Sequence, residues 1–283
     1  MMNLTARGQR SLRRTRNHLI IGLVALVFVS PFVFLLSTAL KSQTQMVLQP
    51  RAIFPLPLHF ENFLTLLATY PVGRYFANTL TVVAFAIIGN VLVSTLAGYA
   101  LSRIKFKGRE VIFILTLSCM FMPLFLLIIP RFVIFNQLGM IGTLLPLILP
   151  SAFGSPFCIF LVRQYLRGLP MDLSEAAYID GCGEFRIYAQ IILPLMKPII
   201  ATVVIFTMQW RWNDFIEPLI YLTSEKLYTV TMGIYQILGT GAEEVSTHLV
   251  MGFIILGIAP IILVFTMAQR HFTEGISHTG LKG

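Results

Sequence analysis

The sequence has 283 residues, of which 56% are hydrophobic and only 12% are charged, and its mean hydropathy is +0.80. Soluble domains carry roughly 25% charged residues, so a water-soluble fold could not bury this much apolar surface, and lipid must solvate most of the chain. The formal net charge of +9 would suggest nucleic-acid binding only if the basic residues formed one face. They lie instead in short clusters beside apolar runs, the pattern of membrane topology.

Six stretches with little or no charge are long enough to cross about 30 Å of hydrocarbon. They cover approximately residues 19–40, 76–101, 111–130, 143–163, 198–221 and 246–268. The sequence therefore predicts an all-α integral membrane fold, with a tail at 1–18, a six-span domain at 19–269 and a second tail at 270–283. The uncharged run 132–162 is too long for one helix, so its first part, FVIFNQLGMIG, is predicted to be a connection outside the membrane.

The basic residues predict the orientation of the spans. Lysine and arginine accumulate in the tail at 1–18, after the second span, after the fourth span and in the final tail. The opposite side carries fewer of them: Lys41, Arg51, Arg74, Arg131 and Lys226. By the positive-inside rule, both termini are cytoplasmic. The basic start followed by an apolar run imitates a signal peptide, but the run is long and further spans follow, which favours an uncleaved anchor.

The cysteines and histidines show no spacing typical of a metal or catalytic site. Cys119, Cys158 and Cys182 are far apart and form no CxxC pair, and the five histidines are equally scattered. Neither HExxH nor GxSxG occurs in the sequence. We therefore expect no disulfide, no metal site and no hydrolase chemistry.

A polar segment, residues 164–197, lies between the fourth and fifth spans on the predicted cytoplasmic side. Pro170 followed by Asp172 and Glu175 is typical of a helix start, and Gly181 predicts the end of that helix with a positive φ. One interpretation is an amphipathic helix lying on the lipid headgroups. Such helices usually show a basic polar face, whereas this one is acidic, which favours docking to a protein partner.

The same segment resembles the EAA loop of the permease subunits of binding-protein-dependent ABC importers. The matching residues are Glu175, Ala176, Ala177, Gly181, Ile191, Leu193 and Pro194. Further stretches that resemble the carbohydrate-uptake members, of the maltose-transporter type, are RYFANTLTVV (74–83), AGYALSRIKFKGRE (97–110), WNDFIEPLIYL (212–222) and QRHFTEGISHTGLKG (269–283). The likeness thus extends over most of the chain. It departs from the family pattern at Arg211 and at His278-Thr279.

The resemblance implies a division of labour among several subunits. In such importers the EAA helix is a coupling helix that sits in a groove of a cytoplasmic ATPase dimer. The residues that would contact this ATPase are Glu175, Ala176, Ala177, Asp180 and Gly181, with a C-terminal contribution from Gly280, Lys282 and Gly283. A sister permease and an extracytoplasmic substrate-binding protein are the other implied partners, in the inner membrane of a prokaryote.

The energy for transport is predicted to come from the partner ATPase. No GxxxxGK[ST] loop occurs in the chain, so ATP and Mg²⁺ are expected on the ATPase and no cofactor on this subunit. The chain is therefore predicted to be a transport subunit and not an enzyme.

Three charges fall inside the predicted fifth span. Arg211, Asp214 and Glu217 are spaced i, i+3, i+6, so neighbours can pair along one helix face. Charges at such depth usually face a bundle interior or an aqueous cavity. They form either a self-satisfied set at a helix end, or, together with Asn213, a lining of the translocation path or a contact with the sister permease.

These observations predict a permease subunit that imports a sugar or an oligosaccharide. The first alternative is the same architecture importing glycerol phosphate or another polyol derivative. A less favoured alternative is an ion-coupled secondary carrier, which would carry charges near the midplane of several spans. Most spans of this chain are free of charge, which disfavours the carrier.

Overall fold

A computed structural model describes the backbone of residues 2–239 and 247–280, and the side chains of residues 13–239 and 247–267. Within these residues all regular secondary structure is helical. The α-helices in chain order are α1 (Met2–Ala39), α2 (Gln43–Leu48), α3 (Glu61–Thr69), α4 (Val72–Arg103), α5 (Arg109–Ser118), α6 (Leu124–Gln137), α7 (Leu145–Ala152), α8 (Pro156–Arg167), α9 (Asp172–Ile179), α10 (Glu184–Arg186), α11 (Leu193–Leu195), α12 (Lys197–Trp212), α13 (Ile216–Tyr221), α14 (Val230–Gly239) and α15 (Thr247–Gly280). A π-helical stretch, Ile187–Ile192, joins α10 to α11.

The number of membrane spans is four to six. Across the described residues, the helical segments long and apolar enough to span alone are Arg13–Ala39, Val72–Arg103, Leu145–Arg167 and Thr247–Met267. Two further candidates are bent pairs. Arg109–Phe121 and Leu124–Gln137 meet at 100°, and Glu184–Leu195 and Lys197–Trp212 meet at 77°. The first bend contains Pro123, whose ring keeps the preceding residue out of the helical conformation.

The structure differs from the sequence prediction after the third span and within the fifth. The FVIFNQLGMIG stretch (132–142) was predicted to be a connection, but its first residues are helical because α6 continues to Gln137. The turn follows at Gly139 and Gly142, which have φ values of 68° and 77°, a region that favours glycine. The predicted fifth span is also interrupted, since α12 ends at Trp212 and α13 begins only at Ile216.

The described backbone divides into two compact units, of which the first comprises residues 1–70 and 237–256. At its centre Lys41 is fully buried just after α1, and its Nζ donates a hydrogen bond to the Pro50 carbonyl at 2.8 Å. Asn62 Nδ2 donates to the carbonyls of Ala39 and Lys41 at 2.8 and 2.9 Å. The two bonds from Asn62 satisfy carbonyls at and just after the end of α1, which lets the chain turn there.

The second unit comprises residues 71–236 and 257–283 and is organised around α4, which packs against α7, α8 and α12. Two glycines of α4 permit the closest approaches. A Cβ at Gly89 would lie 2.4 Å from the Ala152 Cα, and one at Gly98 would lie 2.4 Å from Val162 Cγ1. Small residues at helix contacts let backbones approach in a membrane, where packing replaces the hydrophobic effect as the attractive force between helices.

A buried polar group ties three helices of this second unit together. Asn90 of α4 donates from Nδ2 to Thr207 Oγ1 of α12 at 2.6 Å. Its Oδ1 accepts from Ser94 Oγ and from the backbone N–H of Ser155, both at 2.8 Å. Because unpaired polar groups are costly inside a membrane, this fully bonded set fixes how α4, α8 and α12 pack.

A second polar contact holds the end of α8 against α5. Arg163 is buried, and its NH2 donates to both carboxylate oxygens of Glu110 at 2.7 and 2.8 Å. Its guanidinium also lies 3.7 Å from the centroid of the Phe113 ring, a cation–π geometry. The chain that continues from α8 towards the predicted acidic helix therefore starts from a fixed helix end.

Candidate functional site

The acidic helix predicted in the polar segment is α9, and its limits follow from local chemistry. Asp172 and Glu175 occupy its first turn, where carboxylates complement the helix dipole. At its end Gly181 has a φ of 78°, as the sequence predicts, and its N–H bonds the Tyr178 carbonyl at 3.0 Å. The Cys182 N–H bonds the Ala177 carbonyl at 2.9 Å, which completes a Schellman motif.

The structure separates the five predicted contact residues into two sets. Glu175, Ala176, Asp180 and Gly181 are exposed. Ala177 is only 5% exposed and packs into the apolar core of its own unit. The exposed residues are therefore available to a partner, whereas Ala177 serves to seat α9 on the spans.

Two large apolar side chains beside the acidic residues were missed by sequence reasoning. Ile179 is 86% exposed and Phe185 is 76% exposed, on either side of the turn at Gly181. Ile179 precedes Asp180 and Phe185 follows Glu184, and a large apolar residue beside an acidic one in this polar segment was the available signal. Exposed apolar residues rimmed by acidic ones are typical of protein interaction surfaces.

Glu184 is the first residue of α10, and its carboxylate accepts a hydrogen bond from the Tyr178 hydroxyl. Partial burial, together with that hydrogen bond and the nearby negative charge, raises the pKa of Tyr178 above its ordinary value. The phenol consequently remains protonated at neutral pH and acts as the donor.

The charges of the predicted fifth span form one compact group. Arg211 NH1 lies 3.0 Å from Asp214 Oδ2 and 2.6 Å from Glu217 Oε2. The pairing predicted from the spacing is present, but the three residues do not share one helix face. Arg211 lies at the end of α12, Asp214 in the break and Glu217 at the start of α13, where Asp214 Oδ1 accepts the Glu217 N–H at 3.3 Å.

Sequence reasoning missed the fourth member of this group. Arg131 of α6 lies 3.0 Å from Glu217 Oε1 and so balances the two carboxylates with a second guanidinium. The signal was the charge count, since Arg211 alone leaves one acid of the span uncompensated. Asn213 stands apart, because its Nδ2 bonds the Gln209 carbonyl at 2.9 Å. We refer to Arg131, Arg211, Asp214 and Glu217 as the charge cluster.

The predicted C-terminal contact with the ATPase lies mostly outside the described residues. Gly280 is the last residue of α15, whereas Lys282 and Gly283 lie outside the described residues.

The described residues thus form a helical, multi-pass membrane protein that presents an exposed acidic helix between two spans. Residues 90–278 match the binding-protein-dependent transport system inner membrane components, and the chain belongs to that family. The sequence resemblance to permease subunits is therefore confirmed.

Curated relatives agree with this family. The chain is 37% identical over 186 residues to the arabinooligosaccharides transport system permease protein AraQ of Bacillus subtilis, a match that covers 66% of this chain and 65% of that relative. It thus spans slightly under two thirds of the relative's length. It is 31% identical over 264 residues to the diacetylchitobiose uptake system permease protein NgcG of Streptomyces coelicolor, covering 92% and 86%.

The solved structure shows the same fold at greater sequence distance. A chain of a bacterial ABC transporter involved in the import of the acidic polysaccharide alginate superposes with a TM-score of 0.80. The match covers 93% of this chain and 98% of that chain, at 22% sequence identity.

Proposed function

We propose that this chain is the permease subunit of a binding-protein-dependent ABC importer for a sugar or an oligosaccharide. The named relatives transport arabinooligosaccharides and take up diacetylchitobiose, which supports a carbohydrate substrate. Neither name supports glycerol phosphate or another polyol derivative. The chain forms the translocation path together with a sister permease, receives substrate from an extracytoplasmic binding protein, and takes energy from a cytoplasmic ATPase dimer.

The observation that carries the proposal is the exposed acidic surface of α9. Glu175, Ala176, Asp180 and Gly181 carry the EAA pattern and are exposed in a chain that belongs to the permease family. The neighbouring Ile179 adds exposed apolar area to this acidic surface, a combination that suits the apolar core and polar rim of a protein interface. We therefore assign α9 as the coupling helix, with the tail at Gly280–Gly283 as a second ATPase contact.

The proposal includes six spans with both termini in the cytoplasm. Each bent pair then counts as one broken span, and the basic clusters define the cytoplasmic side. Discontinuous helices are tolerated in membranes where the freed backbone groups are buried in protein or line a cavity.

We assign the charge cluster a structural role, which is to hold α6 against the break between α12 and α13, rather than a role in direct substrate binding. Arg211 contacts both carboxylates and Arg131 contacts one, so each charge has an opposite partner. This favours the self-satisfied interpretation and joins α6 to the break between α12 and α13. A contact between Asn213 and the sister permease or the substrate path stays a prediction.

Reconstitution of the complete importer tests the proposal. The chain is co-expressed with a candidate sister permease and ATPase from the same genome, purified through an affinity tag on this chain, and placed in proteoliposomes with a candidate binding protein. We expect an ATPase and a second permease to co-purify, and uptake of one member of a panel of oligosaccharides to require ATP. The purified chain alone should neither bind nor hydrolyse ATP. ATP hydrolysis by the isolated chain, or uptake without any ATPase, would contradict the assignment.

A further inference from the structure

The loop segments on either side of α9 are bonded to one face of α4. Arg103, the last residue of α4, is buried, and its guanidinium donates to three carbonyls of the segment that leads into α9. NH1 bonds Pro170 at 2.8 Å, and NH2 bonds Leu166 and Leu169 at 2.8 and 2.9 Å. These carbonyls belong to the end of α8 and the following turn, where a helix leaves acceptors unpaired.

A second attachment lies one turn earlier on α4, after α9 has ended. Tyr99 is buried, and its hydroxyl donates to Glu184 Oε2 at 2.8 Å. The other oxygen of the same carboxylate accepts from Tyr178 in α9. One carboxylate therefore joins α4, the last turn of α9 and the start of α10.

A third attachment lies a further turn back. Thr95 Oγ1 is 2.8 Å from the Tyr188 hydroxyl, which belongs to the π-helical stretch after α10. Thr95, Tyr99 and Arg103 are spaced i, i+4, i+8, so they form one stripe along α4. All three are buried polar residues in a largely apolar span, and each bonds the polar segment that contains α9. We call these three residues the polar stripe.

We propose that the polar stripe positions α9 and carries its displacement into α4, so that both helices move as one body during transport. This inference rests on the assignment of α9 as a coupling helix. A helix held only by apolar contacts can slide on its neighbours, whereas directional hydrogen bonds at both ends fix its translation and its rotation. Two of these bonds, from Arg103 to the Leu166 carbonyl and between Thr95 and Tyr188, are buried and are therefore hard to exchange for water.

The first measurement gives the distance between α9 and α4 and does not depend on ATP hydrolysis. In the purified importer, with the native cysteines replaced by serine, spin labels at the exposed residues Asp180 and Leu96 give the distance distribution between α9 and α4. We expect a single narrow distribution in the parent protein and a clearly broader one after Tyr99→Phe. Tyr165→Phe is the matched control, since it removes a phenol hydrogen bond to the Leu195 carbonyl elsewhere in the same core.

The second measurement is substrate transported per ATP hydrolysed in proteoliposomes. The hydrogen bond from Tyr99 goes to a carboxylate and is stronger than a bond between neutral groups, so Tyr99→Phe should lower this ratio by roughly tenfold or more. Tyr99→Phe should add no further loss in a Glu184→Leu background, because its acceptor is already absent. In the same Glu184→Leu background, the loss caused by Tyr165→Phe should add to the loss caused by Glu184→Leu. A general loss of protein stability would not produce this difference between Tyr99 and Tyr165.

The outcomes separate this inference from the proposed function. An unchanged distance distribution and transport ratio in Tyr99→Phe overturns the polar stripe as a positioning device, and so does full additivity with Glu184→Leu. If Tyr99→Phe does not fold, Tyr178→Phe removes the other bond to the same carboxylate and must broaden the distribution. A parent protein that binds no ATPase contradicts the proposed function, whereas an importer that binds its ATPase and is unaffected by Tyr99→Phe contradicts only this inference.

Discussion

Gly181 is the residue whose conformation is most restrictive at the candidate site. Its φ of 78° is costly for any side chain, but a Cβ there would meet no atom within 4 Å. Gly181→Ala should therefore cost on the order of 1 kcal/mol through the backbone alone. We expect it to lower coupled transport by tilting the end of α9, with the spans still folded, as measured by uptake and by thermal unfolding.

Gly183 provides the control for this substitution. It also has open space around its α-carbon, but its φ of −75° is ordinary for any residue. Gly183→Ala should leave uptake unchanged. Equal uptake in the Gly181→Ala and Gly183→Ala variants would show that the turn after α9 has no role in coupling.

The charge cluster allows a prediction based on its pairing. Arg211→Met leaves Asp214 without its guanidinium, whereas Glu217 keeps Arg131. Removing one partner of a buried ion pair is strongly destabilising, and for this partly exposed group we expect a loss on the order of 2–3 kcal/mol. The double variant Arg211→Met/Asp214→Asn should recover most of that loss, measured as the unfolding midpoint in detergent.

Uptake by the same variants distinguishes a structural role of the charge cluster from a role in lining the translocation path. If the charge cluster only holds helices together, the double variant should recover uptake together with stability. If these residues line the path, stability should return without uptake. Arg131→Met is the control, since Glu217 then keeps Arg211 and the loss should be smaller. Identical unfolding midpoints in all three variants would contradict the pairing.

Local residue patterns predicted the conformation of Gly181 but not the partner of Glu217. A helix end followed by glycine is a short-range signal, so the sequence alone carries it. The approach of Arg131 to Glu217 joins residues of two different helices and depends on the break after Trp212. Such a contact is fixed by tertiary packing, for which the sequence gives only the hint of an unbalanced charge.

At the scale of the helix, the orientation of α9 predicts which positions can touch a partner. Ala176 is exposed and Ala177 is buried in the core of its own unit, although they are adjacent in the sequence. In a background without native cysteines, Ala176→Cys should cross-link to a cysteine in the ATPase, and Ala177→Cys should not. The measurement is the yield of the cross-linked product on a denaturing gel.

The contrast between these two alanines is the critical result. Efficient cross-linking from Ala177 but not from Ala176 would mean that α9 is rotated in the assembled importer. No product from either position would remove the support for α9 as the docking element.

The apolar spans were predictable as elements, whereas their interruptions were not. Hydropathy locates the stretches because burial in lipid requires about 20 apolar residues for each helix. The 100° bend at Pro123 and the 77° bend before α12 leave composition unchanged, so hydropathy does not register them. Several other prolines lie inside helices here, including Pro130 and Pro260, and proline content alone therefore did not identify the break.

At the scale of the whole molecule, the distribution of basic residues predicts the side of the membrane on which α9 lies. Lys107 follows α4 on the predicted cytoplasmic side, and Lys226 lies between α13 and α14 on the predicted outer side. Both are exposed, so a cysteine at either position should be reachable by a thiol reagent from its own side only. In intact cells without native cysteines, a membrane-impermeant maleimide should label Lys226→Cys and leave Lys107→Cys unlabelled.

Permeabilised cells provide the control, since both variants should then react to the same extent. Lys107 lies in the loop that follows the polar stripe, so its position also fixes the side on which α9 is attached to α4. The positive-inside rule puts that loop in the cytoplasm because translocating clustered lysines and arginines is unfavourable. Labelling of Lys107→Cys but not Lys226→Cys in intact cells would place α9 outside, where no ATPase could reach it, and the coupling role would then be untenable.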